Sequence, residues 1–132
     1  MFLRHNISAI FWSLFILVLC AIPGSEIPDV SFWSLLTADK MGHITMFVLL
    51  TLFCIVGFRK QNSFKLLRIH AKRSALVYAI SYGTVLEILQ EYLFFERTGD
   101  IYDGVANIVG CFLGVLLFRI IYGKDLYYRV AG

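Results

Sequence analysis

Four apolar blocks, each long enough to cross a bilayer, account for most of this chain. They cover residues 7–22, 41–58, 74–95 and 105–122. An α-helix needs roughly 17–25 apolar residues to cross the hydrocarbon layer of a membrane. A mean hydropathy of +0.76 and a hydrophobic content of 59% agree with this pattern. The sequence therefore predicts an all-α, multi-pass membrane protein with four transmembrane helices, in a single domain spanning residues 1–132.

The first block also has features of a signal peptide, because Arg4 precedes an apolar run. Residues 17–20 are similar to a lipoprotein cleavage box, but Leu19 stands where a small residue is expected before the cysteine. Pro23 then follows as a helix stop. We therefore expect an uncleaved membrane anchor.

Charged residues are divided unequally between the two ends of the predicted helices. Of the twelve Lys and Arg residues, all but Lys40 and Arg97 lie at the N-terminus, between blocks two and three, or at the C-terminus, which leaves ten on that side. Of the nine acidic residues, all but Asp125 lie on the other side, which leaves eight. Because cytoplasmic loops are rich in Lys and Arg, we predict cytoplasmic N- and C-termini. The basic loop also predicts a short interfacial helix that contacts anionic headgroups and not nucleic acid.

The second block begins with three polar residues, Asp39, Lys40 and His43. Asp39 and His43 are four residues apart and share one face of a helix. In an alternative interpretation, Asp39 caps the helix and Lys40 extends to the interface. That alternative does not explain His43, which lies about one turn inside, although a lone histidine is often a hydrogen-bonding residue of the core.

The third block carries Glu87, Gln90 and Glu91 on one helical stripe about 100° wide. Glu87 lies about two turns from the end of the block, at a rise of ~1.5 Å per residue. A carboxylate at that depth costs ~2.5–3.5 kcal/mol on insertion scales. We therefore expect Glu87 to face the interior of the bundle and to have a partner.

The fourth block and the residues before it carry a polar seam that continues into glycine. If the helix extends back to Asp100, then Asp100, Asp103, Asn107, Gly110 and Gly114 lie within an arc of about 80°. One of the two aspartates is explained as a helix cap, but not both. The Gly110/Gly114 pair permits close helix packing, within the bundle or between copies of an oligomer.

Three helices thus direct polar residues towards the outer side of the membrane, which predicts an outward-facing polar pocket. Between Asp39 and about Gly114, the ordered set of spacings resembles the VanZ-like family. The residues that carry the resemblance are Asp39-Lys40-x-x-His43-x-x-x-Phe47, Glu87-x-x-Gln90, Arg97-x-x-Asp100-x-x-Asp103-x-x-x-Asn107 and Gly110-x-x-x-Gly114. Phe47 stands where the family often has Tyr, so a hydroxyl is not available there. The resemblance implies a small multi-pass protein of the bacterial cytoplasmic (inner) membrane, in some members affecting sensitivity to glycopeptides such as teicoplanin. It supplies no agreed biochemical activity.

These residues predict a protein that binds or modifies an anionic envelope lipid or a lipid-linked cell-wall precursor. Lys40 and Arg97 suit a phosphate group, and His43 and Glu87 are candidate general acids or bases. Glu87, Asp100 and Asp103 are candidate ligands for a divalent cation such as Mg²⁺ or Ca²⁺, and a histidine with carboxylates also suits Zn²⁺ or Mn²⁺. The full set of candidate ligand-binding residues is Asp39, Lys40, Gln90, Arg97 and Asn107.

Two other classes of function stay open from the sequence. One is a small transporter or channel subunit in which Glu87 binds a proton or cation, although no polar stripe continues beyond Asn107. The other is a structural partner protein whose polar residues only stiffen the bundle. No Ser or Cys nucleophile lies among the candidates, and whether the protein is an enzyme stays open.

Overall fold

The computed structural model describes residues 1–23, 32–94 and 99–123, with the backbone alone for residues 32–38. Within these ranges the regular structure is entirely helical, which confirms the all-α prediction. The helices are α1 (Phe2–Ala21), α2 (Phe32–Lys60), α3 (Lys65–Ile69), α4 (Ala71–Tyr92) and α5 (Ile101–Tyr122).

Three of the described helices are long and apolar enough to cross a membrane: Phe2–Ala21, Asp39–Lys60 and Ile101–Tyr122. Large apolar side chains are exposed along α1, α4 and α5, as expected of surfaces that face lipid. α4 has the length of a span, with 22 residues. Its apolar content is lower because Lys72 and Arg73 lie at its start and Glu87 and Glu91 near its end. The span predicted over residues 74–95, and with it the total of four spans, therefore stays a prediction.

The helix boundaries differ from those of the apolar blocks, most of all in α2. This helix begins at Phe32, whereas the second apolar block predicted a membrane-spanning helix from residue 41. No Pro or Gly lies between Pro28 and Gly42, so nothing in that stretch ends a helix. Asp39 therefore lies inside α2, and the interpretation of this residue as an N-cap is wrong.

The other long helices show smaller differences at their ends. α1 begins at Phe2 and not at residue 7. α5 begins at Ile101 with Asp100 as its N-cap, so the helix extends back before the apolar block at residue 105, as the polar seam required. α4 covers Ala71–Tyr92 in place of the predicted 74–95. Apolarity marks the membrane-crossing part of a helix, whereas polar residues at either end continue the same backbone hydrogen bonding.

α2 lies at the centre of the bundle and packs most extensively against α5. Phe47, Leu50 and Ile55 of α2 are fully buried in this core. A Cβ atom added at Gly110 would lie 2.5 Å from the carbonyl oxygen of Ile44, and one at Gly114 would lie 2.7 Å from that of Val48. The two glycines thus provide the predicted close helix packing. The helix that packs against them is α2 of the same chain, so this is packing within the bundle and not between copies.

α4 packs through a seam of small residues at every fourth position, Ala71, Ala75, Ala79 and Gly83, all of them buried. Small side chains allow α4 to lie close to its neighbours in the same way. α1 is tied to the bundle by hydrogen bonds. The Trp12 indole donates to the Met46 carbonyl oxygen at 2.9 Å, and Ser13 Oγ lies 2.9 Å from Tyr78 Oη.

The short helix predicted in the basic loop is present as α3, and it exposes Phe64, Leu66 and Ile69. The pattern of apolar and charged residues does not indicate how α2 ends before α3. Gln61 is fully buried there. Its side chain donates to the carbonyl oxygens of Phe58 and Phe64 and accepts a hydrogen bond from the Phe64 N–H. These bonds satisfy backbone groups that the end of a helix leaves unpaired.

Candidate functional site

Polar side chains gather at one end of the bundle, where the N-terminal part of α2 meets the start of α5 and the last turns of α4. We call this end the polar end. The polar cluster consists of Asp39, Lys40 and His43 from α2, Glu87 from α4, and Asp100, Asp103 and Asn107 at the start of α5. The predicted spacings put the α2 and α5 members on facing sides of the two helices, and the close packing at Gly110 brings those sides together.

Lys40 joins α2 to the beginning of α5. Its ammonium group donates to Asp100 Oδ2 at 2.7 Å and also to Asp103 Oδ1. Asp103 is nearly buried, with 10% of its side chain exposed. The hydrogen bond from Lys40, together with one from the Tyr102 N–H, lowers the pKa of the Asp100 carboxyl below its ordinary value. Lys40 is thus engaged by two carboxylates of its own chain, which reduces its capacity to hold a phosphate alone.

A chain of hydrogen bonds crosses from α2 through α5 to α4. His43 Nδ1 lies 2.9 Å from Asn107 Oδ1, and Asn107 Nδ2 donates to Glu87 Oε1 at 3.2 Å. His43 and Asn107 are buried, with 3% and 2% of their surfaces exposed. A carboxylate only accepts hydrogen bonds, so the Asn107 amide nitrogen points to Glu87 and its oxygen points to His43. His43 must then donate from Nδ1.

The other ring nitrogen of His43 faces two carboxylates. Nε2 lies 3.9 Å from Asp39 Oδ1 and 3.8 Å from Asp103 Oδ2. Both separations exceed hydrogen-bond distances. One ligand atom from each of Asp39, His43 and Asp103 lies within 4.8 Å of the other two. Among the described residues, these three form the group whose arrangement suits a metal ion.

Glu87 has the partners expected of a carboxylate inside the bundle. Its Oε1 accepts from Asn107, and its Oε2 accepts from the Asp100 N–H at 3.3 Å. Asp100 caps α5, since its Oδ1 accepts from the Tyr102 N–H at 2.8 Å. Both oxygens of each carboxylate are therefore engaged within the chain. This geometry does not favour Glu87 and Asp100 as metal ligands beside Asp103, the set predicted from the sequence.

Two other predicted residues lie outside the polar cluster. Gln90 is buried and donates to the carbonyl oxygen of Cys20 at 3.3 Å, so it ties α4 to the end of α1. Glu91, on the same predicted stripe, accepts from the Gly99 N–H at 2.8 Å. Arg97 lies outside the described residues.

A cavity of about 480 Å³ lies beside the polar cluster, between α4 and the beginning of α5. We call it the α4–α5 groove. Its lining residues are Ile80, Thr84, Glu87, Ile88, Glu91, Tyr92, Gly99, Asp100, Ile101, Gly104, Asn107 and Ile108. Ile88, Ile101 and Ile108 keep more than a third of their surface exposed, so the groove opens sideways. Sequence reasoning missed it because isoleucines on a groove and isoleucines facing lipid give the same apolar pattern.

The ordered polar residues that meet in this cluster belong to a pattern that runs through nearly the whole chain. The model of the VanZ/LLP1 family matches residues 3–122. The chain belongs to the VanZ/LLP1 family. The match includes α1 and the end of α5 as well as the motif residues from Asp39 to Gly114, and with the three apolar helices it identifies a VanZ-like multi-pass membrane protein. Neither a curated protein nor a solved structure matches the chain.

Proposed function

We propose that this VanZ-family protein binds an envelope lipid or a lipid-linked cell-wall precursor of the bacterial inner membrane in the α4–α5 groove. The lipid enters sideways from the bilayer, and its headgroup lies at the polar cluster. The observation that carries this proposal is the continuity of the groove, whose apolar walls lead directly to polar residues of the cluster. Ligand sites in proteins commonly combine an apolar cavity with a few placed polar groups.

The apolar part of the groove fits a hydrocarbon chain. The whole groove runs along α4 from Ile80 to Tyr92, about 18 Å at 1.5 Å per residue, and Glu87 and Glu91 lie on the same wall as its apolar residues. Ile88 and Ile108 are 53% and 41% exposed on its two walls. A groove that opens to lipid and is lined in this way is filled more favourably by an acyl or prenyl chain than by water.

The polar residues that line the groove are hydrogen-bonded to residues of α2. Glu87, Asp100 and Asn107 line the groove, and they are hydrogen-bonded to His43 or Lys40 directly or through one another. A headgroup at this position contacts groups held in place by three helices. The role of His43 and Glu87 as general acid or base stays a prediction from the sequence, and the proposed binding of a lipid does not require it.

The interior beyond the polar cluster supports binding and not conduction. On the side of Asn107 away from the polar end, Leu50, Cys54, Cys111 and Phe118 are buried between the described helices. An ion or proton path across the membrane needs polar groups or water along its length. Thr51 is a buried polar side chain in the same layer, but the apolar side chains around it leave no continuous polar path among the described residues, so the transporter hypothesis gains no support.

Filling the groove tests the proposal. An added Cβ at Gly104 meets nothing within 4 Å, and the same is true of Gly42 on α2, which does not line the groove. Both positions are helical, and leucine in place of glycine favours a helix by up to ~1 kcal/mol. Gly104→Leu is expected to lower the amount of co-purified lipid at least several-fold, whereas Gly42→Leu keeps the wild-type amount. Native mass spectrometry of gently solubilised protein gives the measurement.

Equal lipid retention by Gly104→Leu and Gly42→Leu, with both variants folded, would contradict a lipid in this groove. The same pair separates the two ligand classes in cells. If the ligand is a cell-wall precursor, Gly104→Leu also alters sensitivity to teicoplanin, and if it is an ordinary phospholipid, the sensitivity stays as in wild type.

A further inference from the structure

The imidazole of His43 has one nitrogen that its surroundings leave without a hydrogen bond among the described residues. Nδ1 carries the hydrogen that Asn107 Oδ1 accepts, so the lone pair of the neutral ring lies on Nε2. This nitrogen points between Asp39 and Asp103, at 3.9 and 3.8 Å. A charged imidazolium would hold a carboxylate at about 2.7–2.9 Å. The observed separations are about 1 Å longer, which leaves room between the three groups.

The size of this space suits a metal ion. Zn²⁺ lies about 2.0–2.2 Å from histidine nitrogens and carboxylate oxygens, so two of its ligand atoms in a tetrahedral site are about 3.3–3.5 Å apart. The separations of 3.9 and 3.8 Å from Nε2 are slightly longer, and small rotations of the two carboxylates would close them around an ion. The largest separation in the group is within 4.8 Å. Asp39 is 45% exposed, so its side chain has the freedom to rotate inwards and shorten it.

The charge of the polar cluster also favours a cation. Asp39, Glu87, Asp100 and Asp103 are four carboxylates, and the described residues around them supply one ammonium group, that of Lys40. Lys40 contacts only Asp100 and Asp103 of this set. Several negative charges in a partly dehydrated site repel one another strongly and also repel a phosphate. A divalent cation removes both unfavourable interactions.

Asn107 and Glu87 supply the support that a metal-binding histidine needs. Histidine ligands normally donate their second ring N–H to an acceptor, which fixes the tautomer and the orientation of the ring. Asn107 accepts that hydrogen bond from His43, and Glu87 in turn orients Asn107. The geometry points to Asp39, His43 and Asp103 as the protein ligands of a divalent transition-metal ion, Zn²⁺ or Mn²⁺.

Three protein ligands leave at least one coordination position for water or for an oxygen of a bound molecule. A phosphate oxygen of a headgroup in the adjacent groove is a suitable occupant, because the ion then bridges two negatively charged partners. This part rests on the proposed lipid site. The binding of the ion by the protein alone does not depend on it.

Metal binding is measured on the purified full chain in detergent, by titration with Zn²⁺ and separately with Mn²⁺. We expect one ion per chain, and we expect His43→Gln to weaken binding by more than about 100-fold. His70→Gln is the matched control, because His70 is exposed at the start of α4 and far from the cluster in sequence. It is expected to leave the affinity unchanged. The site is overturned if the wild-type protein shows no saturable metal binding, or if both variants lose affinity for the metal equally.

A second set of variants covers the case in which His43→Gln does not fold. Asp39 is half-exposed, so we expect the fold to tolerate Asp39→Asn. This variant is expected to lower the affinity for the metal ion at least about 10-fold. Asn107→Leu removes the support of the ring, for which losses of about 10–100-fold are typical. X-ray absorption of the Zn²⁺-loaded protein should show imidazole scattering. Wild-type affinity in Asp39→Asn, or a spectrum without imidazole, contradicts the assignment.

The two proposals fail in different ways. If the titration shows no metal but Gly104→Leu still loses lipid, the metal site is refuted and the lipid groove is retained. If metal binds but lipid retention does not respond to Gly104→Leu, the metal site stands without the groove. If both hold, chelation with EDTA is expected to lower lipid retention by the wild-type protein to the level of His43→Gln.

Discussion

Replacing Gly110 with alanine is expected to destabilise the protein by about 1–3 kcal/mol, the usual cost of overpacking a core. The added Cβ would lie 2.5 Å from the carbonyl oxygen of Ile44, an atom of the α2 backbone that cannot move aside alone. α2 and α5 must then separate along the contact that is the most extensive in the bundle. The free energy of unfolding in mild detergent, followed by circular dichroism, measures the effect.

Gly104→Ala is the matched control, because it lies on the same helix and meets nothing within 4 Å. It is expected to stabilise the protein by up to ~1 kcal/mol through helix propensity. The separation of the helices at Gly110 also draws His43 away from Asp103, so Gly110→Ala should also lower the affinity for a metal ion. Equal stability of the two alanine variants would show that the α2–α5 contact is looser than described.

Removal of the Lys40 ammonium is expected to produce the largest electrostatic effect. Lys40→Met leaves Asp100 and Asp103 near each other without a cation, in a site where Asp103 is 10% exposed. Breaking a fully buried ion pair costs ~3–5 kcal/mol, whereas an exposed pair contributes only ~0–1 kcal/mol. We expect about 1–3 kcal/mol, because the side chains of Lys40 and Asp100 keep exposures of 21% and 37%. Unfolding measured as for Gly110→Ala gives the value.

Lys60→Met provides the control, because Lys60 is an exposed lysine at the other end of the same helix. A change at such a surface position is expected to stay within ~0.5 kcal/mol. The double variant Lys40→Met/Asp103→Asn should recover part of the loss, since it also removes one of the two carboxylates. If Lys40→Met and Lys60→Met have the same stability, the Lys40 bridge does not contribute to the fold.

Regular spacing made much of the fold and of the polar cluster predictable. Helices follow from apolar blocks of the right length, and side chains at i, i+3 and i+7 lie on one face whatever the surrounding structure. Asp103, Asn107 and Gly110 were predicted to lie within one arc of about 80° on the helix surface. All three are buried on one side of α5, and Gly110 packs against α2. The partner expected for Glu87 is present as Asn107.

What the sequence could not provide is the choice among partners on the same face. Gln90 shares a stripe with Glu87, yet it bonds to α1 because α1 packs beside the end of α4. Lys40 and His43 both reach Asp103, and only three-dimensional distances show that the ammonium takes one oxygen and the imidazole faces the other. The start of α2 was missed for a related reason, since apolar content does not mark where a helix begins outside the lipid.

Photo-crosslinking in the native membrane shows directly whether a lipid occupies the α4–α5 groove. A photoreactive amino acid is placed at Ile108, which lines the groove, or at Leu113, which lies on the same helix outside it. The two positions are matched in exposure, at 41% and 42%. We expect one lipid class to be enriched among the crosslinks at residue 108, and the bulk lipid composition among those at residue 113. The same bulk composition at both positions would contradict the proposed lipid site.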